Sequence, residues 1–380
     1  MSPLSDKGNK PILLKNMLSY IYYRPKLNYR ENFYYAKVIG YLIFILVFFA
    51  NHNLFAQNKL NEKDDWYFWT EDETTQVYVY ELGEGETFVV LHGGFGAQHS
   101  YLLDAVKGLE SKYHFVFYDQ RGSLLSPTKP ANISFQKHIQ DIETLRKALK
   151  LERINLLAHS MGTLLAMRYL QDFPERVGKM VLLGAVYPKA GEYLSTVEKD
   201  LENASQKAFA DFRKRPQVVE TFRKFGMSGS EKDRPERTKE EQENILKNWS
   251  KLTVKEQAQL DKISFAAANI LYLERWNLAR FLGPFFNQSA GSAASKTVEK
   301  DYNFVPSLQK HPFPITVING DHDLLDFGNK LWENASSELK NTEMVFVKNA
   351  AHSIWLDQPE FFRKSLDKGL AKKARIKKLQ

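Results

Sequence analysis

At 380 residues the chain is long enough for one large α/β core with an inserted second unit, and its 43% hydrophobic and 26% charged content excludes wholesale disorder. The absence of cysteine excludes disulfides, thiolate metal sites, a cysteine nucleophile and lipidation on cysteine. The formal charge of +8 sits at the ends: residues 1–37 carry seven Lys/Arg against Asp6 and Glu31, Lys368–Gln380 carries six basic residues and no acidic one, and residues 38–367 are left at about −3, which excludes a basic nucleic-acid surface on the body.

The first element is Val38–Ala50, thirteen residues without a charge, preceded by the basic stretch and followed by Leu54-Phe-Ala56-Gln57. A bilayer-spanning helix needs about 20 apolar residues and a signal-peptide core about 7 to 15, so this run reads as a signal peptide with Ala56 at the cleavage position. The long basic region before it gives a second reading, an uncleaved anchor that holds the body at the membrane. Basic flanks stay in the cytoplasm, so either reading predicts export of the body.

From Trp66 onward short β-branched or aromatic runs alternate with helical patterns, the signature of a mostly parallel sheet covered by helices on both faces. Strands are predicted at 77–81, 87–91, 114–118, 154–158, 180–184, 315–319 and 344–347, and helices at 135–150, 163–173, 327–339 and 360–370. The alternation fails between Tyr187 and Pro312, an interval rich in Lys, Glu, Gln and Ala that predicts a helical insertion. Within it Ser289-Ala-Gly-Ser-Ala-Ala-Ser295 is expected to form a mobile loop. The organisation is thus 1–56 as the address, 57–186 and 312–367 as two parts of a core, 187–311 as a cap, and 368–380 as a solvated basic tail.

Leu156-Leu-Ala-His-Ser-Met-Gly-Thr-Leu-Leu-Ala166 is an apolar strand that ends at a small-x-Ser-x-Gly turn and enters a helix directly, the context of a nucleophile elbow. A sharp turn tolerates only small residues two places either side, here Ala158 and Gly162, and presents Ser160 above a helix N-terminus. Phe88-Val-Val-Leu-His-Gly-Gly-Phe-Gly96 is a second strand ending in a glycine-rich turn. It points to an oxyanion hole from the N–H of Gly94, with Phe95 close behind, and the N–H of Met161. His92 is expected to brace this loop. Acid and base should follow the serine at the ends of later strands. Pro314-Ile-Thr-Val-Ile-Asn-Gly-Asp-His-Asp323 offers Asp323, preferred over Asp321 because it reaches further past Gly320, and Val345-Phe-Val-Lys-Asn-Ala-Ala-His352 offers His352. His159 and His322 read as loop residues.

Together Leu91-His-Gly-Gly, Tyr118-Asp-Gln-Arg-Gly-Ser123, Ala158-His-Ser-Met-Gly162, Gly320-Asp-His-Asp323 and Ala351-His352 resemble the α/β-hydrolase superfamily over residues 75–367. The Asp-Gln-Arg-Gly-Ser stretch is most similar to the proline iminopeptidase-related serine peptidases. The resemblance implies a helical cap inserted after the sixth strand, a Ser160–Asp323–His352 triad, no metal or cofactor, and a small-molecule or short-peptide substrate. Two features depart from that group: Phe95 stands where Pro is usual, and Ala158-His-Ser-Met-Gly162 has the form common in esterases and lipases. A carboxylesterase or lipase-like acyl hydrolase is therefore the second reading, and a ligand-binding module on the same fold the third. An iminopeptidase also needs a cap carboxylate for the substrate amine; Glu274, in Leu271-Tyr-Leu-Glu-Arg-Trp276, is one candidate, with a surface pair to Arg275 as its plainer role.

Overall fold

A computed structural model describes residues 65–191, 203, 211, 214–224, 240, 243, 247–248, 250–272, 287–323, 325, 330–339 and 341–373. The apolar run at 38–50, with its cleavage position, and Glu274 lie outside these residues. Among the described residues no helix is long and apolar enough to cross a membrane.

Among the described residues eight strands form one sheet: β1 (Trp66–Trp69), β2 (Gln76–Leu82), β3 (Glu86–Leu91), β4 (Tyr113–Tyr118), β5 (Ile154–His159), β6 (Val177–Leu183), β7 (Ile315–Gly320) and β8 (Thr342–Val347). Their spatial order is β1-β2-β4-β3-β5-β6-β7-β8, antiparallel at β1–β2 and β2–β4 and parallel from β4 onward. The central strands β4 and β6 are buried at every position, as a sheet covered on both faces requires. β8, at an edge, is mostly half-buried. All seven predicted strands form. The eighth, β1, falls on four aromatic residues of which Tyr67 and Trp69 are exposed.

The helices among the described residues are α1 (Leu103–Val106), α2 (Phe135–Ala148), α3 (Met161–Asp172), α4 (Pro216–Lys224), α5 (Val254–Asn269), α6 (Gln288–Ser295), α7 (Val305–Lys310), α8 (Lys330–Ser336), α9 (Ile354–Asp357) and α10 (Pro359–Leu370). Local chemistry starts several of them. Ser134 caps α2 by accepting the Lys137 N–H, and Thr253 with Glu256 closes a capping box on α5. Two apolar cores flank the sheet, one joining α2, α3 and α8 to it and the other joining α1, α9 and α10.

Between β6 and β7 the described elements are all helices, α4 to α7. The two ends of this insertion meet in a stem: Lys189 and Asn303 pair as an antiparallel bridge, flanked by Ala190 N–H to the Tyr302 carbonyl and Phe304 N–H to the Pro188 carbonyl, both 2.8 Å. A small apolar core of its own gathers Val218, Ile263, Ala266, Ala267 and Ile270.

The segment 289–295 corrects the sequence expectation: it is helix α6, not a mobile loop. Asn287 caps it through the Ala290 N–H. Its small side chains permit contact too close for larger ones. A Cβ on Gly291 would stand 2.7 Å from the Phe95 carbonyl oxygen, and one on Gly122 would stand 2.6 Å from the Ala290 methyl.

Candidate active site

Ser160 follows the last residue of β5 and precedes the first of α3. Its φ of 55° and ψ of −127° put a non-glycine residue in the left-handed half of the map, the strain expected where a strand turns sharply into a helix. The strain is held from three sides. The Ser160 N–H donates to the Leu183 carbonyl at the end of β6 (3.0 Å), its carbonyl accepts from the N–H and hydroxyl of Thr163, and Gly162 sits where a Cβ would be 2.4 Å from the Leu91 carbonyl oxygen. Although Ser160 occupies the N-cap position of α3, its side chain makes no capping bond, so the hydroxyl is not consumed by the helix.

His352 lies five residues beyond β8 and Asp323 three beyond β7, on neighbouring strands. The His352 Nδ1–H donates to both oxygens of Asp323, at 3.0 and 2.9 Å, and the carboxylate is 1% exposed. That bond fixes the tautomer: with the proton on Nδ1, Nε2 carries the lone pair. Gly184, directly after β6, lies under the pair with φ +49°, and a Cβ there would be 2.8 Å from His352 Nδ1. Asp323 rather than Asp321 thus meets the histidine. Asp321 instead pairs with the half-exposed His322 and accepts the Ala350 N–H.

The ring of His159 lies 4.5 Å, centroid to centroid, from that of His352. Its Nε2–H donates to the His352 carbonyl (3.3 Å), which leaves Nδ1 to accept the Tyr101 hydroxyl proton (2.8 Å), and the Tyr101 oxygen accepts the Gly93 N–H (2.7 Å). Burial and the neighbouring His352 hold the His159 imidazole well below the ordinary histidine value, so it stays neutral. One hydrogen-bonded chain therefore joins the glycine-rich loop, the serine turn and the histidine loop. Tyr101 and Trp355, which packs against both Tyr101 and His159, carry no pattern that sequence reading could have singled out.

In the glycine-rich loop Gly94 adopts φ +65°, and a Cβ on Gly93 would be 2.5 Å from that of Ser160. Among the described residues no acceptor takes the N–H of Gly94 or of Met161. The loop is braced from below. His92 Nε2 accepts the Gln120 N–H (3.0 Å) while its Nδ1–H faces the Gly93 carbonyl, as expected for a bracing residue, and burial lowers its pKa to about 4. Asp119 accepts the N–H and the Nδ1–H of His99 just past the loop, at 2.9 and 2.7 Å. Arg121 makes a two-point pair with buried Asp141, and Gly122 admits α6. The Asp119-Gln-Arg-Gly-Ser stretch is thus a scaffold for the loop over Ser160.

The sequence profile described as α/β hydrolase fold matches residues 86–359. Among similar proteins, a proline iminopeptidase of Lactobacillus acidophilus is 32% identical over 29% of this chain and 39% of its own length. A putative non-heme chloroperoxidase of Synechocystis is 30% identical over 37% of this chain, so the match spans 52% of that relative. Among solved structures, a proline iminopeptidase-related protein from Thermus thermophilus superposes with a TM-score of 0.55 at 22% identity, covering 82% of this chain and 98% of the other. Sheet order, profile and neighbours agree, and the chain belongs to the α/β-hydrolase fold family.

Proposed function

We propose that the chain is a serine hydrolase that cleaves an amide or ester through an acyl-enzyme, with proline iminopeptidase-like aminopeptidase activity as the first reading. The observation that carries it is the buried His352 Nδ1–Asp323 bond, which leaves Nε2 outside the pair, together with a serine on a strained turn whose preceding residue, His159, bonds the His352 carbonyl. In this mechanism Nε2 takes the Ser160 proton as Oγ attacks the carbonyl carbon. Asp323 keeps the ring oriented and stabilises the imidazolium, which then protonates the leaving group. The tetrahedral oxyanion is received by the N–H groups of Gly94 and Met161, at a helix N-terminus. Water, deprotonated by the same imidazole, releases the acyl group.

Peptidase activity is supported by the Asp119-Gln-Arg-Gly-Ser motif and by the iminopeptidase relatives. The Ala158-His-Ser-Met-Gly162 turn favours a second reading as a carboxylesterase. Export rests on the apolar run before the catalytic body. Turnover of prolyl and alanyl arylamides is to be compared with that of short-chain aryl esters, with Ser160→Ala as control. Serine-dependent arylamidase activity that N-acetylation of the substrate abolishes supports the aminopeptidase; turnover of esters alone selects the esterase; unchanged hydrolysis by Ser160→Ala overturns both.

A further inference from the structure

Helix α9 is a single turn, Ile354–Asp357, directly after the histidine loop, and three of its side chains face three different parts of the protein. Trp355 packs against His159 and Tyr101 beneath the candidate site, at ring distances of 5.1 and 6.3 Å. Leu356 packs against the separate apolar core of the cap while also bordering the core under the sheet. Asp357, 5% exposed, gathers main-chain N–H groups from both sides. Its carboxylate accepts from Leu271 (2.9 and 3.0 Å) and Tyr272 (3.0 Å) at the end of the cap helix α5, and from Ala351 (2.9 Å), the residue before His352. A further bond runs alongside, from the Ser353 N–H to the Asn269 carbonyl at 2.8 Å.

A carboxylate that accepts three main-chain N–H groups in a buried site is costly to disturb, because any donor it releases is left unsatisfied away from water. The cap segment 269–272 and the histidine loop 351–353 consequently share one acceptor. We propose that Asp357 is a positioning residue that couples the seating of the cap to the alignment of His352. This rests on the reading of His352 as the general base. Displacement of 269–272 by a poorly fitting acyl or leaving group is transmitted through Asp357 to the Ala351 N–H and tilts the imidazole away from Ser160. The device makes selectivity in the cap appear in kcat rather than in binding alone.

The test uses the full chain with Asp357→Asn, which keeps the shape but turns an NH2 group toward the N–H donors. Steady-state kinetics on an aryl ester, the rate of Ser160 labelling by a fluorophosphonate, and amide hydrogen exchange are measured together. Expected are a fall of about 10-fold to 100-fold in kcat and in labelling rate, as for a misplacement on the order of 1 Å, with KM nearly unchanged. Exchange should rise in both 269–272 and 351–353. Unchanged kcat, or exchange rising in one segment only, overturns the coupling. If the variant does not fold, the wild type decides alone: occupancy of Ser160 by the fluorophosphonate should alter exchange in both segments together, and a change in one or neither overturns the proposal. Wild type that resists labelling overturns the Ser160 reading and the coupling with it, whereas labelling with unlinked exchange overturns the coupling only.

Discussion

His159, the residue before the candidate nucleophile, donates its Nε2–H to the carbonyl of His352, the candidate base, 3.3 Å away. The serine turn and the histidine loop are therefore joined by a side-chain to main-chain bond, and the ring making it is itself oriented by Tyr101.

Tyr101→Phe tests that link. It removes the acceptor of the Gly93 N–H and the donor to His159 Nδ1 while keeping the ring. The expected outcome is a loss of about 1 to 3 kcal/mol of stability from the unsatisfied buried groups, with kcat reduced and KM little changed. Thermal melting and steady-state kinetics check it; an unaltered kcat removes the relay from the mechanism.

Gly184 is where a methyl group would press directly on the His352–Asp323 pair. Its backbone is left-handed and a Cβ would press on His352 Nδ1 at 2.8 Å and on Asp323 Oδ2 at 3.1 Å. Gly184→Ala should retain the fold by circular dichroism and lose on the order of 100-fold or more in kcat, because the pair is pushed off its line to Ser160.

The choice between two acidic residues is directly measurable. Asp323→Asn should lower kcat on the order of 10,000-fold by allowing the wrong imidazole tautomer, while Asp321→Asn should stay near the wild-type rate. Comparable losses in both variants would return the assignment to open choice.

Four of the buried histidines among the described residues have depressed pKa values that weaken the fold in acid, against which the raised pKa of buried Asp141, about 6, works in the opposite sense. Burial lowers the pKa of His92 to about 4 and of His138 to about 3, and pushes His159 and His311 down as well. In each case the unfolded chain binds a proton that the folded one does not, so stability is full above the ordinary value of about 6.5 and declines as pH falls below it. The slope is about 1.4 kcal/mol per pH unit for each histidine until its folded pKa is reached. Melting temperature should therefore begin to drop below about pH 6.5, before most carboxylates titrate. His138, stacked on Phe95 and with neither nitrogen hydrogen-bonded among the described residues, is the one to replace. His138→Leu should flatten this slope and melt higher than wild type at pH 5; an unchanged slope counts against the burial argument.

The placement of Ser160, Asp323 and His352 just past β5, β7 and β8 was legible in the sequence because each follows an apolar strand, and the Asp323–His352 pairing follows from two neighbouring strands. A nucleophile turn also restricts its neighbours: the Gly162 position tolerates no side chain against the Leu91 carbonyl, and that restriction shows in the letters. Strand β1 was not legible, since Trp66–Trp69 lacks an alternation long enough to register and pairs only by tertiary contact with β2. Helix α6 was misread because Gly, Ser and Ala have the composition of a flexible loop; here the same small volumes allow a helix to lie against the Phe95 carbonyl. Asp357 left no trace either. Its partners are main-chain N–H groups from 86 residues upstream and six residues upstream, and no side-chain pattern encodes them.

The stem formed by Pro188–Ala190 and Tyr302–Phe304 separates two histories of change. Because the chain leaves β6 and re-enters at β7 through strands that are already neighbours, the closure is made at the base of the excursion and not by its contents. Lengthening a closed excursion costs only about 0.6 kcal/mol per doubling, so length added between the stem's two arms is cheap in loop entropy. The stem closes 191–301 at its base, and among the described residues any change of its contents would have to keep the donors that Asp357 accepts and the packing of α6 against Phe95 and Gly122.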